Sequence, residues 1–228
     1  MDERFRLEGL LEQSVSDSAV RARLAEYGAM LLDANRRFNL TGADSPEELA
    51  PHILDSLSIG QYMASPMVDV GSGGGLPAIP LAIAQGISVT MVESTTKKAA
   101  FLEAVLHTLA LEGAIIPQRA ELAGRDPALR GTFASGTARA VSSAPTVMEL
   151  LAPFLRVGGV AVLQRGRLDA REREAVDDAA PMLGAEVAEE IQLDGERRIL
   201  LVRKTSETPQ RFPRRPGIPE KRPLCLTP

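Results

Sequence analysis

A chain of 228 residues, 44% hydrophobic and 25% charged, is long enough to build a full core in one domain, or in one domain with a small appendage. Its net charge of −4 excludes a wholly basic nucleic-acid-coating protein, and no apolar run reaches the ~18–20 residues that span a bilayer. A single cysteine, Cys225, excludes an internal disulfide, and with two histidines any zinc site would need several carboxylates, so no metal is expected.

The opening segment MDERFRLEGLLEQ lacks a basic stretch followed by an apolar one, and the expectation is a soluble cytoplasmic protein. Residues 1 to about 60 read as helices. Val20, Leu24, Tyr27, Leu31 and Phe38 fall at helical spacing. Ser45-Pro46 is an N-cap with proline at the first helical position, and Pro51 predicts a kink or two short helices. From about residue 66 short strands alternate with helices: MVDV (67–70), a helix ending near Gly86, ISVTMVE (87–93), a helix over 95–113 closed by Gly113, and AIIPQ (114–118). A weak fourth strand is expected over 137–142, a helix over 145–155, a strand over 159–165 and a charged helix over 169–181. Two last strands, 185–193 and 197–204, meet at a hairpin containing Asp194-Gly195. This order predicts an α/β doubly wound sheet ending in an antiparallel pair.

The charges are uneven. Residues 203–222 hold seven basic groups against two acidic ones, a net of +5, while residues 1–202 carry −9. Six prolines in the tail TPQRFPRRPGIPEKRPLCLTP argue against a regular helix and for extended or polyproline-like chain. Composition alone reads this tail as a solvated terminus.

The most informative stretch is Asp69-Val70-Gly71-Ser72-Gly73-Gly74-Gly75-Leu76-Pro77. A strand entering a glycine-rich turn and then a helix lets backbone N–H groups approach a ligand closely. Glu93 ends the next strand, where an acidic side chain can accept both hydroxyls of a ribose, so an adenosine-containing cofactor is expected. Read from Gly71 the dinucleotide pattern GxGxxG fails; read from Gly73, the GxGxxA variant is met at Ala78. Asp69, placed to meet a positively charged amino-acid end, favours S-adenosylmethionine. So do Pro77 and Pro80, which remove N–H groups that a pyrophosphate would use.

With these residues in place the chain resembles the ribosomal RNA small subunit methyltransferase G family, also called glucose-inhibited division protein B. The resemblance runs from Asn39 to Leu224, through NLT (39–41), HILDSL (52–57), DVGSGGGLPAIPLAI (69–83), VESTTKKAAFLEAV (92–105), ARA (138–140), GG…RG (158–166) and PRRPGIPEKRPL (213–224). Many methyltransferases share the glycine motif. The closing PRRPGIPEKRPL is far more specific, and it reverses the bland reading of the tail.

The resemblance implies a class I S-adenosylmethionine-dependent methyltransferase with a Rossmann-like seven-stranded sheet. It also implies a helical extension over 1–62, a cofactor domain over 63–206 and a basic tail over 207–228. Its implied activity is methyl transfer from S-adenosyl-L-methionine to N7 of a guanine in 16S rRNA, in the small ribosomal subunit or an assembly intermediate. A monomer is expected because no exposed coiled coil or repeat is visible, and no membrane association because no apolar run is long enough. Gly71, Leu76, Glu93, the Ala120-Glu121 pair at the adenine and Arg139 are the cofactor residues the resemblance implies, joining Asp69, Gly73 and Gly75 read from the glycine turn itself. Arg139 is also the candidate catalytic residue, at the cofactor and substrate edge, with Asn39, Arg165, Arg214, Arg215 and Lys221 toward the RNA. Two departures stand out: Arg165-Gly166 where relatives often have Lys-Gly, and Ala138 where they often have serine.

Guanine N7 carries a lone pair and no proton, so this reaction needs no base. The His52–Asp55 pair therefore reads as a brace between the helical region and the sheet, and His107 as structural. Lys97 and Lys98 open a helix, where the dipole disfavours cations, which suggests an anionic partner. Six Phe, two Tyr and no Trp give no evident stacking platform. Two other readings remain at this point: a nicotinamide-dependent oxidoreductase, and a non-catalytic RNA-binding protein on the same fold.

Overall fold

The structure, a computed structural model, describes residues 2–139, 142–166, 168–193 and 195–226. Three helices come first: α1 (Glu3–Leu11), α2 (Ser18–Asn35) and α3 (Pro46–Ser58). Asp17 caps α2 through the N–H groups of Ala19 and Val20, and Ser45 caps α3 through that of Glu48. Pro51 does not split α3. It removes only the N–H that would reach Glu47, and Glu47 lies exposed in the first turn.

The alternating region follows as β1 (Met67–Val70), α4 (Ala78–Gln85), β2 (Val89–Val92), α5 (Thr96–Thr108), β3 (Gly113–Ile116) and α6 (Ala120–Ala123). Then come β4 (Phe133–Thr137), α7 (Ala144–Leu151), β5 (Leu155–Arg165), α8 (Ala170–Met182), β6 (Ala185–Gln192), β7 (Arg198–Lys204) and α9 (Ile218–Lys221). One mixed sheet has the order β3-β2-β1-β4-β5-β7-β6, with β7 antiparallel to both neighbours. The strand order reverses between β1 and β4, and in open α/β sheets ligands bind beyond the strand ends at such a reversal.

Side chains alternate across the sheet. Met67, Val89 and Met91 face a core shared with Leu24 and Tyr27 of α2, Ile53 of α3 and Leu102 of α5. Val68, Val70 and Val92 face a second core with α7, α8, Phe212 and Leu224. The N-terminal helices thus share a core with one face of the sheet, and the tail shares one with the other.

Several boundaries differ from the sequence expectation. Gly113 does not close a helix; α5 ends at Thr108, and Ala110 takes the left-handed turn at φ 46°. Gly113 instead begins β3, where a Cβ would lie 2.6 Å from the Val89 carbonyl oxygen. Gly113→Ala should therefore cost on the order of 2 kcal/mol through overpacking, read as a lowered denaturation midpoint at unchanged m-value. The fourth strand runs over Phe133–Thr137, not 137–142, and residues 140 and 141 lie outside the described ones. Its small side chains carry little strand signal, yet smallness is what the site requires: a Cβ on Gly136 would meet Val68 Cγ1 at 3.0 Å. Helix α7 stops at Leu151, and β5 begins at Leu155 with Gly158 at φ 83° beside a register shift. The β6–β7 hairpin forms as expected, Asp194 of its turn lying outside the described residues.

The tail packs on the domain instead of hanging free, and it is not wholly extended. Arg130 donates to the carbonyls of Thr208 and Phe212, and Arg125 to that of Pro213. Thr146 donates to the Pro219 carbonyl within the single-turn α9. Lys204, buried, directs its ammonium at the carbonyls of Leu183, Gly184 and Ser206 and so fixes the point where the tail departs.

Candidate active site

Beyond β1 the chain turns through Gly71, Gly73 and Gly75, all at positive φ (71°, 54° and 97°), where side chains are strained. The turn lines a cleft of about 520 Å³ through Gly71, Gly73 and Leu76, and Asn39, Lys98 and Arg139 line it as well. A Cβ on Gly73 would meet nothing closer than 3.8 Å, so this backbone stands open to a ligand. Gly75 plays a different part from the one expected. It is not on the cleft wall; a Cβ there would lie 2.6 Å from Ile79 Cγ1, so it is the glycine that seats the turn on α4.

Asp69, at the end of β1, is 1% exposed, and neither carboxylate oxygen has a hydrogen-bond partner. Burial pushes its carboxyl up to about 7, with the nearby Ser72 hydroxyl and Arg139 opposing and the Glu93 charge adding. Tyr27 of α2 is fully buried and donates to the Gly74 carbonyl at 2.8 Å, tying the helical region to the turn. Burial, with the Asp69 charge adding, holds that phenol protonated far above its ordinary range.

Glu93 follows β2 directly, with both oxygens engaged by backbone, accepting from Gly73 N–H at 2.9 Å and Thr95 N–H at 2.7 Å. Each oxygen keeps a second lone pair. Glu121 departs from expectation. Its carboxylate accepts from Arg119 and from Gly217 N–H at 2.7 Å, and so ties the tail down. Burial opposes that charge, but Arg119 and the Gly217 N–H hold the carboxyl below its ordinary range.

Arg139, just past β4, is gripped by one face of α3. It donates to His52 Nδ1 at 3.0 Å and to the His52 carbonyl at 3.3 Å, and lies 3.4 Å from Asp55 Oδ2. A guanidinium only donates, so His52 accepts at Nδ1 and is neutral with its proton on Nε2. Burial and Arg139 hold the ring below the usual histidine range, Asp55 opposing. The His52–Asp55 pair thus braces helix to sheet through Arg139.

Arg139 also borders a second hollow of about 360 Å³ lined by Asp55, Gln164, Arg165, Arg197 and Arg198. Arg165 is there by donating to the Ser142 carbonyl and to Glu172, and Arg197 donates to Asp55 Oδ1 at 2.6 Å. Arg197 and Arg198 were missed in the sequence; the signal was the hairpin, whose register sets Arg198 opposite Arg165. Asn39 is exposed at the cleft rim. Its loop is held by Asn35 Oδ1, which accepts from Leu40 and Thr41 N–H. Arg215 and Lys221 are exposed on the tail. Arg214, 26% exposed, is tied to the fold: its guanidinium and its own N–H clasp Glu149, which is fully buried. Among the described residues no three His, Cys, Asp or Glu side chains gather to hold a metal, and no helix is long and apolar enough to cross a membrane.

The family model for rRNA small subunit methyltransferase G matches residues 21–200. The chain belongs to that family. Curated relatives named ribosomal RNA small subunit methyltransferase G include one from Rubrobacter xylanophilus, 39% identical with 92% of this chain and 86% of the relative covered. Another, from Pelotomaculum thermopropionicum, is 38% identical with 92% of each covered. Among solved structures, a mutant of MtNAS in complex with S-adenosylmethionine is similar at TM-score 0.53 and 18% identity, over 88% of this chain and 83% of that one. The mitomycin 7-O-methyltransferase MmcR is similar at TM-score 0.55 and 14% identity, over 88% of this chain and 68% of that one. These two show the fold: the class I, Rossmann-like arrangement with a seven-stranded sheet. For this family member the cofactor is S-adenosylmethionine, and the residues present fit it. An open glycine backbone at Gly73 and an orphaned buried carboxylate at Asp69 suit a nucleoside joined to an ammonium-bearing amino acid.

Proposed function

We propose that this chain methylates N7 of a guanine in 16S rRNA, using the cleft between the glycine turn and Arg139. The observation that carries the reading is the adjacency of two sites through one side chain, since Arg139 borders both the cofactor cleft and the arginine-lined hollow. In this reading Asp69 faces the cofactor's ammonium, Glu93 accepts from the ribose hydroxyls, and Gly71, Gly73 and Leu76 line its path. The Ala120-Glu121 backbone borders the adenine. When bound, S-adenosylmethionine supplies an electrophilic sulfonium methyl.

The chain's own contribution is alignment. N7 has an in-plane lone pair and no proton, so no side chain need act as a base; correct orientation alone is worth ~7–11 kcal/mol. Arg139 is held rigid by His52 and Asp55, and a guanidinium suits the O6 edge of guanine. Arg165, Arg197 and Arg198 offset the phosphates of the incoming strand. Each is also paired with a carboxylate, which presets its direction.

The test is transfer of a labelled methyl group to small ribosomal subunits lacking N7-methylguanine, with digestion to nucleosides. Label in 7-methylguanosine is expected; label elsewhere, or none, overturns the reading. Arg139→Ala should lower kcat/KM at least a hundredfold while the cofactor dissociation constant stays within about threefold, as removal of a group that orients substrate requires. A large loss of cofactor affinity instead would assign Arg139 to the cofactor.

A further inference from the structure

The cofactor cleft does not end at Asn39. A shallow hollow of about 400 Å³ shares Asn39, Thr41 and Gly42 with that cleft and is lined also by Phe38, Arg36, Arg37 and Asp44. Two cations gather on the Phe38 ring, Lys97 Nζ at 5.6 Å and the Arg37 guanidinium at 5.9 Å from its centroid. Arg36 and Arg37 are already paired, with Glu3 and Asp33, in exposed ion pairs of a kind that contributes little and exchanges readily. Lys97 is different. It is exposed, and among the described residues no carboxylate pairs with it or with its neighbour Lys98 at the cleft.

An aromatic face bearing displaceable cations, at the rim of a cleft that must admit a nucleotide, matches single-stranded RNA in two ways. A base stacks on the ring, and the cation it displaces meets the adjoining phosphate. We propose that Phe38 stacks a nucleobase flanking the target guanine and that Lys97 holds the neighbouring phosphate. This rests on the rRNA reading above and names where that substrate enters. Counting aromatics along the chain misses such a platform, because one well-placed ring among cations is enough to make it.

The test measures binding of an unmethylated 16S rRNA transcript, alongside methyl transfer to undermethylated small subunits. Lys97→Gln should weaken RNA binding severalfold and reduce the slope of log affinity against log salt by about 0.7, the value for one single-strand phosphate contact. Phe38→Ala should weaken binding about tenfold and Phe38→Trp should restore it, while the cofactor dissociation constant, a check that each variant is folded, stays at the wild-type value. Wild-type affinity and slope in Lys97→Gln would overturn the proposal. So would a loss seen with subunits but not with the bare transcript, which would place an acidic protein segment on the ring. If the wild-type protein binds RNA but transfers no methyl, the reaction assignment fails, and the binding arm still decides this proposal.

Discussion

Arg214→Leu should lower the thermal midpoint by about 10 °C, although the substituted residue lies in a proline-rich tail that composition would dismiss. Glu149 sits in α7, every residue of which is buried, and it is itself 0% exposed. Arg214 supplies Nε, a guanidinium NH2 group and its backbone N–H to that carboxylate at 2.6–3.0 Å. Removing one partner of a buried pair strands the other's charge and costs about 3–5 kcal/mol, and for a chain of this size each kcal/mol moves the midpoint about 2–4 °C. Adding Glu149→Gln to Arg214→Leu should recover most of the loss, because the amide still accepts the residue 214 N–H without a stranded charge. If the single variant melts within about 2 °C of wild type, the tail is not clamped to α7 in solution. The basic groups of the tail thus serve different ends. Arg214 is committed to the fold, while Arg215 and Lys221 remain exposed to solvent.

The elements carried by strong local patterns were legible in the sequence. The glycine turn, the caps at Ser45 and Gly86, and the β6–β7 hairpin all follow from turn chemistry and alternation. What escaped was set by close approach between elements distant in sequence. Gly113 and Gly136 look like breakers, yet at Gly113 the neighbouring strand leaves no room for a Cβ, and at Gly136 a Cβ would crowd Val68, Leu151 and Leu155. Gly75 and Glu121 sit in the right motifs, but α4 and the tail claim their faces. Arg197 and Arg198 were hidden because their nearness to Arg165 appears only once the antiparallel register is known. Tyr27 falls on an apolar helical stripe, and nothing local says that its hydroxyl holds the glycine turn. Local chemistry marks where a ligand can approach; tertiary packing decides which of the candidate side chains face it.

Asp69→Asn should stabilise the ligand-free protein while crippling cofactor binding. The Asp69 carboxyl titrates near 7 in the folded chain against an ordinary 3.8, because burial disfavours the charged form. Between those values the folded state holds a proton that the unfolded state has released. Stability therefore falls as pH rises through this window, by up to on the order of 4 kcal/mol, and levels off above about 7. An amide at this position cannot ionise, so the variant's stability curve should lose this slope, matching wild type near pH 4 and exceeding it by a few kcal/mol near pH 8. Denaturant midpoints across that range check the sign. In the proposed complex the ionised carboxylate meets an ammonium, so cofactor affinity should fall as pH drops below about 7 in the wild type and be at least tenfold weaker in Asp69→Asn. A destabilised variant at pH 8 that binds the cofactor normally would remove Asp69 from the site. A buried carboxylate with no partner is costly to keep; in the proposed complex that cost is offset when the cofactor's ammonium meets it, so part of the selectivity for a cationic ligand rests on Asp69.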